Sequence, residues 1–378
     1  MIPMPPAATP LSAAKAMQLA LSLAAQAASS AAPNPAVGCV LLSAEGRLIG
    51  AGHTQRAGGP HAEVMALRDA AARGASTVGA SAFVTLEPCS HHGRTGPCCD
   101  ALIAAGIAKV VGALTDPNPQ VAGQGFERLR AAGVDVEIGP GAAESRELNN
   151  GFFSRMIRGT PWVRMKAASS LDGVTALHNG QSQWITSAPA RADGHAWRAR
   201  ACTILTGIGT VLEDNPRMNV RDVDTPRQPR IAVVDSKLDM PLDAHVLKAP
   251  SACLIYTCST NQSKIEQLQA LGATVIAMPN AAGKVDLAAM LRDLAQRGTN
   301  ELHVEAGFKL NGSLIREGLV DELLFYQAPR LLGTGAMGIA NFGPLDSLDQ
   351  GLPLVFNDVA RLGPDLRIVA RVQGREQF

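Results

Sequence analysis

Leu86-Glu87-Pro88-Cys89-Ser90-His91-His92-Gly93-Arg94-Thr95-Gly96-Pro97-Cys98 is the stretch on which the fold of this 378-residue chain turns, together with His61-Ala62-Glu63 upstream of it. One imidazole and two thiolates, from His61, Cys89 and Cys98, are a common donor set for a catalytic zinc ion that keeps its fourth position open for water. Zinc lowers the pKa of that water towards neutrality. Glu63, two residues after the histidine, is then placed to take the proton and pass it to a departing amine. A zinc ion that only stapled the fold would need a fourth protein ligand and would leave Glu63 without a task. Cys99 is the one competitor for the metal, but adjacent residues rarely face the same ion, so Cys98 is the expected ligand and Cys99 a core residue.

Both ends of this constellation open predicted helices, one near His61 and one near Cys98, where the positive backbone field favours a thiolate. H-x-E followed by a Pro-Cys and a second Cys is the signature of zinc nucleobase deaminases, here with a longer spacer, Ser90 to Pro97. Within the spacer, His91, His92 and Arg94 are suited to gripping a ring or a ribose phosphate, and equally to a solvated polar loop. Asn34, between two prolines, either starts a turn or pairs its amide with a pyrimidine edge. His53, at the end of a predicted strand, is a weaker candidate.

Outward from the motif, the pattern predicts a helix over about 11–29, then a hairpin of Val37–Ser43 and Arg47–His53 turning at Glu45-Gly46. Strands over Ser81–Leu86, Lys109–Leu114 and Val134–Ile138 alternate with helices starting near His61, near Cys98 and over 122–132. That alternation means an α/β layer structure. Gly139-Pro140-Gly141 interrupts it, an amphipathic segment runs from Ala143 to Arg158, and the alternation resumes after Thr160-Pro161. The domain boundary is therefore expected within 148–160, taken at 149/150. Strand-like runs in the second half are Trp162–Ala167, Cys202–Leu205, Arg230–Asp235, Ala252–Thr257, Thr274–Met278, Glu301–Glu305, Glu322–Ala328 and Arg367–Val372.

Composition limits the partners. The 34 Lys and Arg against 33 Asp and Glu give a net charge of +1, and only 4% of residues are aromatic. A protein that reads nucleic acid needs a basic face and stacking platforms, so a small-molecule substrate is expected, and neither a nucleic acid nor a membrane. No run approaches the roughly 20 apolar residues of a membrane helix. The Ala-rich Leu11–Ala28 lacks the preceding positive region of a signal peptide and predicts an amphipathic helix. Seven cysteines, three of them crowded at Cys89, Cys98 and Cys99, resemble metal ligands in a reducing compartment rather than a disulfide framework, which points to the cytoplasm. A chain of this size is also expected to form a homo-oligomer.

In the second half, Gly333-Thr334-Gly335-Ala336-Met337-Gly338 matches G-x-G-x-x-G, but Gly343-Pro344 and Gly351-Leu352-Pro353 follow where the motif requires a helix. It is not read as a dinucleotide turn. Val304-Glu305-Ala306-Gly307-Phe308-Lys309-Leu310-Asn311-Gly312-Ser313 is better placed, running from a strand through a glycine into a helix whose first N–H groups can hold phosphate.

Asn34-Pro35-Ala36-Val37-Gly38, Pro60-His61-Ala62-Glu63 and Leu86 to Thr95 closely resemble the deaminase half of the bifunctional riboflavin-biosynthesis deaminase-reductase family, whose own feature is the long spacer. Gly96 departs from it, a proline being expected there. Lys166 to Gly173, Ser182 to Ser187, Gly209 to Leu212, Asp214-Asn215-Pro216 and Val304 to Gly307 resemble its reductase half, so the resemblance covers nearly the whole chain. It implies a cytidine-deaminase-like α/β/α domain over 1–149 and a dihydrofolate-reductase-like α/β domain over 150–378. It implies zinc and NADPH as cofactors. The activities would be removal of a ring amino group from a phosphoribosylated diaminopyrimidinone, then reduction of the ribosyl group to ribityl. Cofactor contacts are implied at Ala168, Trp184, Thr210, Asp214, Ser236, Gly307, Phe308, Lys309, Leu310, Asn311, Gly312 and Ser313. Substrate contacts are implied at Ser182, Arg198, Met218, Arg221 and Glu305, besides Asn34, His53, His91 and Arg94. Arg198 and Arg221 suit phosphate clamps, being bidentate and always charged; the plainer reading is a surface ion pair. Asp172 and Glu305 are carboxylates at strand ends, and neither is marked out as the general acid. The rival readings keep the deaminase and make the second half a nucleic-acid-binding module or a nucleotide sensor.

Overall fold

The structure, a computed structural model, describes residues 10–90, 96–119, 121–333, 337–375 and 377–378. Ser12 caps the first helix, α1 (Ala13–Ala27), by accepting the Lys15 N–H at 3.4 Å. The hairpin predicted at residues 37–53 forms as antiparallel β1 (Gly38–Leu42) and β2 (Leu48–His53), with Gly46 in the left-handed region (φ 77°) at its turn. α2 (Ala62–Ala72), β3 (Ser81–Val84), α3 (Cys98–Ala104), β4 (Lys109–Gly112), α4 (Gln124–Ala131) and β5 (Asp135–Ile138) complete a five-stranded sheet of order β2-β1-β3-β4-β5. Ala16, Met17, Ala20 and Leu23 of α1 pack on Val40, Leu42, Phe83 and Val111 on one face. On the other face Gly52 lets α2 approach: a Cβ there would lie 2.6 Å from the Ala66 nitrogen. Helices on both faces of the sheet give the expected α/β/α layering.

Two more helices, α5 (Ala142–Leu148) and α6 (Asn150–Arg158), follow. By its contacts the chain divides into Met1–Arg158 and Gly159–Phe378, so α6 goes with the first unit although the sequence reading gave residues 150–158 to the second.

The second unit runs β6 (Trp162–Ser170), α7 (Ala188–Arg200), β7 (Thr203–Gly207), α8 (Ile208–Asp214), β8 (Arg230–Val234), β9 (Cys253–Thr257), α9 (Gln262–Ala270), β10 (Thr274–Ala277), α10 (Leu287–Gln296), β11 (Glu301–Val304), α11 (Phe308–Arg316), β12 (Glu322–Ala328), β13 (Leu354–Leu362) and β14 (Asp365–Val372). Its nine-stranded sheet has the order β10-β9-β8-β7-β11-β6-β12-β14-β13, with every strand running the same way except β14, which pairs antiparallel with both β12 and β13. Successive residues of the parallel strands enter opposite cores: Leu205 and Leu254 pack with Met290 and Leu294, whereas Ile204 and Ile255 pack with Val246 and Leu268. Burial on both faces explains why these strands read as unbroken apolar runs. Edge strand β13 is absent from the runs expected from sequence; most of it is solvent-exposed, Leu354, Val355, Phe356 and Val359 included, and Asn357-Asp358 interrupts its apolar run. No helix among the described residues is long and apolar enough to cross a membrane.

Candidate active sites

In the first unit His61 is the N-cap of α2, with extended backbone (φ −78°, ψ 169°), and Glu63 lies buried in the first turn of the same helix. Cys98 opens α3 behind Pro97, and Cys89 stands in the loop after β3. One donor atom from each of His61, Cys89 and Cys98 lies within 4.8 Å of the others. His61 Nδ1 is 3.5 Å from Cys89 Sγ and 3.3 Å from Cys98 Sγ. Tetrahedral zinc with Zn–S of about 2.3 Å and Zn–N of about 2.0 Å needs separations of roughly 3.5 Å, so the donor set fits that ion.

The electrostatics agree with the chemistry. The Cys89 thiol is held well below its usual range by a hydrogen bond from Cys98 and by His61, and the Cys98 N–H also points at its sulfur at 3.4 Å. Burial, and then the Cys89 charge, raise Glu63 to about 7, so its carboxyl both accepts and releases a proton near neutrality. Cys99 stands outside the donor group; burial pushes its thiol up to about 11.

The Cys89 loop is fixed by its neighbour. Glu87, buried, accepts the N–H groups of Asp116 (3.0 Å) and Gly123 (2.9 Å) on Oε2 and of Gly125 (2.8 Å) and Phe126 (3.4 Å) on Oε1. Four backbone donors satisfy a carboxylate that would otherwise be expensive to bury. They tie the metal loop to the start of α4. A Cβ on Gly125 would collide with the Pro88 carbonyl oxygen, so only glycine permits this approach. Asp116 lies in the same buried corner, its carboxyl pushed up to about 7 by burial.

Asn34 is half-buried in a loop that α5 and α6 hold in place. Asn149 accepts the Ala36 N–H at 2.8 Å and donates to the Ala36 carbonyl at 3.0 Å, and Arg155 donates to the Pro33 carbonyl at 2.8 Å. His53 ends β2 with Nδ1 3.2 Å from the Thr54 carbonyl and lines a cavity of about 500 Å³ with Met65, Arg68 and Asp69. His91 and Arg94 lie outside the described residues.

In the second unit the expected residues gather at the carboxyl ends of β6, β7, β8 and β11, where ligands bind in open α/β sheets. α8 and α11 follow adjacent strands, and their N-caps, Gly207 and Gly307, have no side chain to satisfy the first helical N–H groups. Such ends suit phosphate oxygens. They face each other: a Cβ on Gly307 would lie 3.6 Å from Thr210 Oγ1. Asp214, Lys309 and Trp184 are exposed; Phe308, Ser313, Ser182 and Ala168 are half-exposed, the last on the strand face of Lys166. Ser236 Oγ accepts the Val285 N–H at 3.3 Å.

Four of the expected contact residues are turned towards the interior. Met218 is buried among Ile231 and Val233, so its side chain faces the core, not a ligand. Asn311 is buried and donates to the Ile339 carbonyl at 2.9 Å, and Gly312 packs against Asn341, so these two line the turn from inside. Leu310 leans on the opposite core, that of Leu205, Leu302 and Leu314.

Glu305 is the electrostatic centre of this unit. Burial would raise its carboxyl, but the Arg198 guanidinium holds it well below the usual range. Arg198 donates to both oxygens, from Nε to Oε1 and from Nη2 to Oε2 at 2.8 Å, while Nη1 donates to the Asn219 carbonyl at 3.0 Å. Three of its five N–H donors are engaged, so Arg198 braces Glu305. Lys166 Nζ lies 4.0 Å from Glu305 Oε2. Arg221 is exposed, and its N–H donates to His195 Nδ1 at 3.2 Å. Burial, then the charges of Arg198 and Arg221, lower His195 to about 4, which keeps it neutral and able to accept. Asp172 clamps the turn before the Gly-rich loop, accepting Gly333 N–H at 2.8 Å and Leu332 N–H at 3.1 Å. Residues 337–347 form no helix, in keeping with the rejection of a dinucleotide turn there.

His195 and Asn149 gave no sequence signal, since a lone polar residue within a helix or at its end has many uses. Glu87 stood inside the quoted motif, where its neighbour cysteine drew the attention.

Fold and sites together define a zinc-type deaminase joined to a nicotinamide-type reductase. Residues 11–114 match the cytidine and deoxycytidylate deaminase zinc-binding region, and residues 161–368 match the RibD C-terminal domain. The chain belongs to the RibD family. It is 43% identical over 362 residues to riboflavin biosynthesis protein RibD of Escherichia coli, covering 93% of this chain and 96% of that one. The Aquifex aeolicus protein of the same name is 40% identical, with the same coverage. Among solved structures, Acinetobacter baumannii RibD superposes with a TM-score of 0.87 at 39% identity, covering 95% of this chain and 98% of that chain. The Thermotoga maritima diaminohydroxyphosphoribosylaminopyrimidine deaminase/5-amino-6-(5-phosphoribosylamino)uracil reductase superposes with a TM-score of 0.84 at 30% identity and the same coverage.

Proposed function

We infer that this chain catalyses two consecutive steps of riboflavin biosynthesis. The first is hydrolytic deamination of 2,5-diamino-6-(5-phosphoribosylamino)pyrimidin-4-one. The second is NADPH-dependent reduction of the ribosyl side chain of 5-amino-6-(5-phosphoribosylamino)uracil to ribityl. The observation that carries the reading is the union in one chain of a His61, Cys89 and Cys98 donor set beside buried Glu63 with a reductase domain of the same family. A nucleic-acid-binding or purely sensing second domain is not favoured.

In the deaminase, His61, Cys89 and Cys98 are the residues that hold zinc, which when bound supplies an acidified water. Glu63 takes up a proton at its carboxylate and returns it to the amino group that leaves as ammonia, a role suited to a carboxyl poised near 7. Glu87 keeps the Cys89 loop in register, and Asn149 keeps Asn34 where its amide can meet the pyrimidine edge. His91 and Arg94 are assigned to the substrate on sequence grounds.

In the reductase, NADPH supplies the hydride, and the protein supplies position and charge. The starts of α8 and α11, with Thr210, Lys309 and Ser313, receive the cofactor together with Trp184, Ala168, Asp214 and Ser236. Glu305, braced by Arg198, faces the sugar, and Arg221 meets its phosphate. The working form is a cytoplasmic homo-oligomer; free thiols at all seven cysteines support a reducing compartment.

The test is a coupled assay on zinc-loaded protein given the diaminopyrimidinone phosphoriboside and NADPH. Ammonia release is expected first, with NADPH oxidation waiting on it. Ammonia without NADPH loss would refute the reductase assignment. Light scattering on the same sample tests the oligomer.

A further inference from the structure

Trp184, exposed over 62% of its surface, stands in the segment 182–187 that leads into α7. One face of its indole is covered by the Arg191 guanidinium, 4.6 Å from the ring centroid, and Arg191 Nη1 also donates to the Thr186 carbonyl at 2.8 Å. The segment ends at Ser187, whose backbone N–H (2.7 Å) and hydroxyl (2.6 Å) both donate to Oδ2 of Asp365. Asp365 is 1% exposed and opens β14, on the far side of the sequence. The preceding turn fits against the same helix start: Gly363 (φ 62°) would place a Cβ 3.3 Å from Pro189.

A carboxylate buried this deeply is costly unless its hydrogen bonds are worth more than its lost hydration. Capping α7 explains part of its presence. It does not explain why two contacts, from Asp365 and Arg191, converge on the few residues that carry an exposed indole with one face already covered. The uncovered face is a flat apolar surface, matched to a planar heteroaromatic ring.

We propose that Asp365 and Arg191 are positioning residues that hold Trp184 as a stacking platform for the reduced nicotinamide dinucleotide. The proposal rests on the reading of Trp184 as a cofactor contact. Asp365 fixes where the segment ends, and Arg191 fixes the tilt of the ring. Neither touches the reacting atoms, so both act on cofactor affinity and leave the deaminase untouched.

The experiment uses the full zinc-loaded chain and four variants, Asp365→Ala, Asp365→Asn, Arg191→Ala and Trp184→Ala. Each is read for KM of NADPH, for kcat of reduction, for ammonia release, and by circular dichroism as a check on folding; the variants that keep Trp184 are also read for quenching of tryptophan fluorescence on NADPH addition, with Trp184→Ala as the blank. Asp365→Ala is expected to raise the KM for NADPH about tenfold, the scale of a lost charge-assisted hydrogen bond, with ammonia release unchanged. Arg191→Ala moves KM the same way by less, and Asp365→Asn, which keeps an acceptor oxygen, recovers most of the loss. Unchanged KM and unchanged quenching in Asp365→Ala and Arg191→Ala, with Trp184→Ala raising KM, would overturn the positioning role alone. If Asp365→Ala fails to fold, Arg191→Ala decides, and a wild-type KM in that variant overturns the proposal. If Trp184→Ala leaves KM for NADPH unchanged, the cofactor reading of Trp184 falls and takes the proposal with it.

Discussion

Arg198 grips Glu305 with a two-pronged fork in which Nη2 lies 2.8 Å from Oε2. That pairing changes what each arginine of the reductase unit is expected to do. Truncating Arg198 leaves a buried carboxylate without its cation, and lysine cannot restore the fork. Arg198→Ala and Arg198→Lys should therefore each cut reduction by about a hundredfold for phosphorylated and dephosphorylated sugar substrates alike. Arg221→Ala should raise KM only for the phosphorylated substrate. Steady-state kinetics on the two substrates separates the roles, and a loss confined to the phosphorylated substrate in Arg198→Ala would return that residue to phosphate binding.

Glu63→Gln keeps the shape of the buried side chain and removes its proton chemistry. Zinc content by elemental analysis should stay at wild type, and ammonia release should fall by about 10²- to 10⁴-fold. Full activity would remove Glu63 from the mechanism.

Glu87 has no contact with substrate in this reading, yet four N–H groups depend on it. Glu87→Ala should destabilise the first unit by about 3 kcal/mol, seen as an earlier thermal unfolding step, and should weaken zinc retention against a chelator. Reduction, measured on supplied aminouracil substrate at a temperature below that step, should be unaffected.

Asn149→Ala removes both bonds to Ala36 and frees the loop that carries Asn34. The expected outcome is a KM for the diaminopyrimidinone raised about tenfold with zinc content unchanged. Equal KM in variant and wild type would mean that the loop holds its shape without this anchor.

Asp172 supplies a pH dependence. The Ser170 hydroxyl at 2.5 Å, then the Gly333 and Leu332 N–H groups, lower its carboxyl to about 2. The unfolded value is about 3.9, so the folded state binds the proton less tightly, and the clamp contributes stability above that value. The contribution is lost as pH falls through 4 towards 2. The melting-temperature difference between wild type and Asp172→Asn should be present at pH 7 and shrink on acidification; a difference that grows on acidification would reverse the sign.

Much of this was legible before any coordinates. The His61, Cys89 and Cys98 set is visible because metal chemistry restricts residue type as well as spacing, and the inner strands β7, β8 and β9 are visible because burial on both faces demands continuous apolar runs. What stayed hidden are the residues whose work is done by pairing across long sequence separations. Asn149 meets Ala36 and Asp365 meets Ser187, and nothing local to either partner announces the other. Met218 shows the complementary case: its side chain turns inward to the core, which nothing in the loop sequence announces.

The junction after Arg158 also bears on how such a two-activity gene could be divided. A separately encoded deaminase that stopped at Leu148 would lose Asn149 and Arg155, and with them the struts of its own Pro33–Ala36 loop. The seam compatible with fission lies at Gly159, and the amphipathic segment before it is inherited with the deaminase.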